Sequence, residues 1–135
     1  MVRVSVMSSL RSHARINRSA DDVWKVVSDA AGISAWFPGI AEARVDGENR
    51  IITIAPGVEL VERIVTNDAA LRRFQYSITG GPMPVESHLG TVDVIEDGDA
   101  AFVVYSTEVT PDTLAAVMGP SIEAGVAGLK AFCEG

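Results

Sequence analysis

Residues 9–17 alternate strictly, with Leu10, Ser12, Ala14 and Ile16 on one side and Arg11, His13 and Arg15 on the other. A period of two predicts a strand whose small-residue face turns inward and whose charged face meets water. The period then lengthens. Ser19 is a natural N-cap, Asp21 and Asp22 fall in a first turn where the helix dipole favours negative charge, and Val23, Val26, Val27 and Ala30 recur at helical spacing with Trp24 on the flank. These features predict an amphipathic helix over 20–30. Gly32 breaks it, 33–37 makes a second short turn or helix, and Pro38-Gly39 ends the corner.

Beyond that corner the alternation returns. Segments 40–47, 50–55, 58–68, 72–80, 86–98 and 100–110 read as consecutive strands, with Asp46-Gly47, Pro56-Gly57 and Asp97-Gly98 as turns between antiparallel neighbours. Thr110 as cap and Pro111 at the first helical position predict the entry to a last helix. Its apolar face carries Leu114, Val117, Met118, Ile122, Gly125, Leu129 and Phe132, and Pro120 is expected to kink or split it near Gly119. The expected class is α+β: a seven-stranded, curved antiparallel sheet wrapped around a long C-terminal helix, with two short helices between strands 1 and 2.

The strand periodicity also assigns faces. Phe74, Tyr76 and Ile78 point inward, as do Val103, Tyr105, Thr107 and Val109, and His88, Gly90, Val92 and Val94. Along 58–65, Leu60, Glu62 and Ile64 share the inner face and Val61, Arg63 and Val65 the outer one, unless a bulge exchanges them. Gly90, Thr107, Ser121 and Gly125 are small residues at positions facing the interior, and are read as leaving room there.

Length and composition narrow the function classes. A chain of 135 residues forms one domain, 1–135, with 1–8 as a loose N-terminal extension. Its net charge of −7, without a basic stripe, speaks against nucleic acid and anionic membranes as partners. No stretch has the length and apolarity of a membrane span, so no integral membrane association is expected. The single cysteine, Cys133, forms no internal disulfide and fits a reducing, cytoplasmic location. His13 and His88 fall on different faces and no cysteine or carboxylate completes a ligand set, so no metal is expected. No glycine-rich loop has a phosphate or dinucleotide fingerprint, so no cofactor is expected either.

The phrases "SADDVWKVVSDAAGISAWFPGI", "VELVERIV" with Asp68, and "FQYSITGGPMPVESH" resemble the SRPBCC superfamily, the START-like helix-grip proteins, and within it the polyketide cyclase/dehydrase-like subgroup. The resemblance spans residues 9–133. It implies a cavity between the curved sheet and the last helix, in a superfamily that includes lipid carriers, hormone receptors, cyclases and co-chaperone domains. A fold with so many functions leaves the function to be argued from the site.

The expected wall consists of Leu60, Glu62, Phe74, Tyr76, Ile78, Met83, His88, Val92, Tyr105, Thr107, Met118 and Ile122. Met83 belongs to "GGPMPV", residues 80–85, read with equal weight as a plain turn or as a rim over the cavity mouth. Glu62, His88, Tyr76 and Tyr105 are the inward polar set. They suit acid–base chemistry, since burial raises a carboxyl pKa and imidazole titrates near neutrality. The same residues serve equally as a hydrogen-bonded wall. The first expectation is therefore binding, as carrier or sensor, of a small apolar or amphipathic molecule. The alternatives are a cyclase, dehydratase or aromatase using those four residues, and a ligand-free module whose acidic surface meets a basic protein partner.

Overall fold

Residues 6–135 are described by the computed structural model. Strand β1 (Ser8–Ile16) is followed by helix α1 (Ala20–Ser28) and a 3-10 helix (Ala30–Ala35). Then come β2 (Glu42–Asp46), β3 (Asn49–Ala55), β4 (Val58–Asp68), β5 (Arg73–Gly80), β6 (Ser87–Asp97) and β7 (Ala100–Thr110). Helix α2 (Ala115–Glu134) closes the chain. All neighbouring strands pair antiparallel, in the order β1-β7-β6-β5-β4-β3-β2. This is the helix-grip α+β fold. Ser8 already pairs with Val109, and the expected N-terminal extension otherwise falls largely on residues 1–5, outside the described residues.

The local reasons are those of the sequence. The Ser19 side chain accepts a hydrogen bond from the Asp22 N–H and caps α1, whose Ala20, Val23, Trp24 and Val27 are buried. Trp24 thus belongs to the core rather than the flank, and Val26 is only half-buried. The 3-10 helix runs through Gly32 instead of starting after it. Gly47, Gly57 and Gly98 all have positive φ, as the tight turns at their positions require.

The last helix departs from expectation at several positions. Pro111 is extended (φ −75°, ψ 160°) and is followed by a 3-10 turn at Asp112–Leu114, so α2 starts only at Ala115, without a side-chain cap. Of the kink or split expected at Pro120, only the split is excluded, since α2 is continuous through it. Phe132 is exposed (48%) while Val126 and Leu129 are buried. The buried stripe passes from Met118 to Ile122, Val126 and Leu129 and then to the half-buried Cys133, a four-residue step that bypasses Phe132. Val117 also turns outward, at 60% exposure.

The alternation in the sheet holds. Val103, Tyr105, Thr107 and Val109 are buried, and so are Leu60 and Glu62 with Arg63 and Val65 exposed. The β4–β5 register shifts between Val61 and Glu62 and between Ile64 and Thr66, yet neither irregularity turns Glu62 outward.

Two glycines hold rings rather than empty space. A Cβ on Gly90 would stand 2.6 Å from the Tyr76 ring, and one on Gly125 would stand 2.5 Å from the Phe37 ring. The room that these residues leave is filled by aromatic side chains. A Cβ on Gly128, one turn further along α2, would meet the Trp36 carbonyl oxygen at 2.1 Å. The corner at 36–38 is therefore clamped to α2 through its glycines, and it closes one end of the sheet's concave side.

Candidate functional site

A cavity of about 250 Å³ lies between the concave face of the sheet and the N-terminal half of α2. Its wall is mostly apolar: Ile33, Phe37 and Ile40 from the corner, Ile52 and Leu60 from the β3–β4 hairpin, and Met118 and Ile122 from α2. Exposed residues, among them Pro38, Gly39, Ile54 and Val117, border it on the outside. Met83 also lines it and is half-buried, which places the 80–85 loop at its edge.

Of the residues expected on the wall, Leu60, Glu62, Tyr76, Ile78, Met83, His88, Tyr105, Thr107, Met118 and Ile122 line the cavity. Phe74 and Val92 do not. They are packed into the core behind it, exposed by only 2% and 3%.

The polar side chains form one row across the sheet. Arg50 on β3 pairs in register with Glu62 on β4, which pairs with Ile78 on β5. The Ile78 N–H in turn donates to Nδ1 of His88 on β6, at 3.1 Å. The sequence reading missed Arg50, although it is 98% buried and ion-paired with Glu62. Arg50 Nε donates to Glu62 Oε1 at 2.7 Å, and Nη1 donates to the Ala30 carbonyl at 3.3 Å. Its guanidinium lies 5.1 Å from the ring centroids of both Phe74 and Tyr76, neighbouring rings on β5 that cover the cation from one side. The signal was present in "RIITIA". Arg50 shares the inner face with Ile52, and across the hairpin it stands directly opposite an inward glutamate.

This pairing sets the electrostatics. Burial pushes the Glu62 carboxyl above its ordinary range, while the charge and hydrogen bond of Arg50 pull against it. Burial also raises the Tyr76 and Tyr105 phenols, so both are neutral donors. Their hydroxyls hydrogen-bond to each other. His88 is pushed down to about 4 by burial and is a neutral imidazole at pH 7. Because its Nδ1 accepts the Ile78 N–H, its proton sits on Nε2, which meets no protein acceptor among the described residues. Thr107 Oγ1 is buried in the wall without a partner.

Glu62 and His88 thus do not bond to each other. Glu62 is taken by Arg50 and His88 by a backbone amide, with Ile78 between them. Strands are spaced about 4.8 Å apart, which leaves roughly 10 Å between their backbones.

A family model described as polyketide cyclase / dehydrase and lipid transport matches residues 7–134. The chain belongs to this family. Among solved structures, a Thermobifida fusca protein is 28% identical over 90% of each chain, with a TM-score of 0.77. The ZhuI aromatase/cyclase of a Streptomyces species is 17% identical with a TM-score of 0.84, covering 96% of this chain and 94% of that one. Norcoclaurine synthase of Thalictrum flavum, in complex with dopamine and hydroxybenzaldehyde, is 21% identical with a TM-score of 0.74, covering 96% and 86%. No protein of curated function matches by sequence. The two enzymes share the fold of this polyketide cyclase/dehydrase family member. No group of three metal-ligating side chains gathers among the described residues, and no helix there is long and apolar enough to cross a membrane.

Proposed function

We propose that this protein binds one small apolar or amphipathic molecule in the cavity between sheet and α2, as a carrier or sensor. The observation that carries the reading is an unfilled, largely apolar cavity with a few polar atoms at its inner end, the usual composition of a ligand site. A ligand-free interaction module would more naturally have filled this space. The catalytic reading is weaker for a specific reason. A general base needs an available lone pair, and that of His88 Nδ1 is occupied by the Ile78 N–H while one of the two Glu62 oxygens is held by Arg50. We take the site of action to be the cytoplasm, in keeping with the free thiol of Cys133.

The ligand-binding residues in this proposal are the wall residues Leu60, Ile78, Met83, Met118 and Ile122 for the apolar body, with Glu62, His88 and Thr107 at the polar end. Calorimetric titration with naphthalene tests the reading. Saturable binding near one per chain is expected, and Met118→Trp, which fills the cavity, should abolish it. A folded wild-type protein that takes up no apolar probe would overturn the proposal.

A further inference from the structure

The charge balance of the inner end, taken together with the cavity's size, defines what the ligand's head can be. We infer that the cavity selects a neutral molecule of one or two rings that ends in a hydroxyl, and that it rejects the matching carboxylate. This rests on the binding reading above.

Size comes first. A cavity of ~150 Å³ is known to hold benzene, and pockets for drug-sized ligands begin at about 300 Å³. At about 250 Å³ this cavity lies between those limits. One ring, or two fused rings, fits it.

Charge comes next. The only buried cation on the inner row, Arg50, is not itself part of the cavity wall. It is covered by the rings of Phe74 and Tyr76 and joined to Glu62 at 2.7 Å. A ligand therefore meets the pair from the Glu62 side. A carboxylate there would face another carboxylate and shed its hydration with no cation in reach. His88 offers no charge either, since its imidazole is neutral.

What the inner end does offer is hydrogen bonding without net charge. His88 Nε2–H is a donor. The second Glu62 oxygen meets no protein donor among the described residues and is an acceptor. A hydroxyl both donates and accepts, so it can pair with either of these groups. A bare hydrocarbon leaves them unpaired, which is unfavourable in a buried site.

The experiment is a calorimetric comparison of naphthalene, 2-naphthol and 2-naphthoate at pH 7. The expected result is 2-naphthol bound about tenfold or more tightly than naphthalene, and 2-naphthoate more weakly than naphthalene. Naphthalene that binds as well as 2-naphthol, or 2-naphthoate that binds best, overturns the inference while leaving the binding reading intact. Failure of all three to bind overturns both.

Two variants sharpen the test. Glu62→Gln leaves Arg50 uncompensated and should reverse the order, so that 2-naphthoate gains at least tenfold over 2-naphthol. If that variant does not fold, the double variant Arg50→Met with Glu62→Leu removes the pair together and keeps the inner end uncharged. In it 2-naphthoate should remain the weakest ligand. A double variant that prefers 2-naphthoate contradicts the inference.

Discussion

The two ends of the concave sheet are built differently. At one end α1 and the C-terminal half of α2 press into the sheet, and Ile16, Val23, Ala101, Val103 and Leu129 have no measurable exposure at all. At the other end the sheet is covered by the N-terminal half of α2 and the corner at 36–40, and Met118, Ile122, Leu60 and Tyr76 border open space. The same helix thus serves as core along one half and as cavity wall along the other. Large apolar side chains at the first end exist to be packed. At the second they border a shaped void, and under the proposed binding role stability and ligand contact would fall to different residues.

The largest expected effect lies on the border between the two. Arg50→Met alone strands the buried Glu62 charge and should cost about 3–5 kcal/mol in chemical denaturation, whereas Arg50→Met with Glu62→Leu should cost far less. Equal losses in the single and double variants would show that the pair is not coupled.

Leu129→Ala, in the packed end, should cost about 2–5 kcal/mol. Met118→Ala at the cavity should cost less, because Met118 already lacks neighbours on one side, and should change naphthalene affinity instead. If the two substitutions destabilise alike, the contrast between the ends fails.

A smaller effect is pH-dependent. The His88 pKa is depressed from 6.5 to about 4 on folding, so between those values the unfolded chain binds more protons than the folded one. Stability should therefore fall as pH drops from about 6.5 toward 4, and part of that slope should vanish in His88→Asn. Urea midpoints at pH 7 and pH 5 for both proteins measure it. The raised Glu62 carboxyl has the opposite sign and takes up a proton as pH falls, so the His88 contribution is read from the difference between the two proteins.

Phe132→Ala should have the smallest effect, within about 0.5 kcal/mol, because the side chain is half in water.

Much of this division was legible in the amino-acid sequence. Strict alternation sent Tyr76, Tyr105, Thr107 and His88 inward, and all four are buried cavity-lining residues. Periodicity assigns a face but not a depth, which is why Phe74 and Val92 were expected on the wall and lie behind it. It also carries no information on what fills a gap. The space at Gly90 and Gly125 belongs to the rings of Tyr76 and Phe37, contacts between residues 14 and 88 positions apart in the sequence. Phe132 misled because steps of three and four are equally helical, and only the shape of the partner surface decides between Phe132 and Cys133. Arg50 was overlooked because a charged residue at the start of an apolar strand resembles a solvated end. Its partner, Glu62, is recognised only once the hairpin is folded.

Methyl- and amide-resolved NMR during titration with naphthalene tests the division most directly. Saturable shifts are expected at Leu60, Ile78, Met118, Ile122 and the Thr107 methyl, with Val103 and Leu129 unmoved. Shifts confined to exposed residues such as Leu71 or Phe132, or none at saturating naphthalene, would contradict a cavity built to hold a ligand.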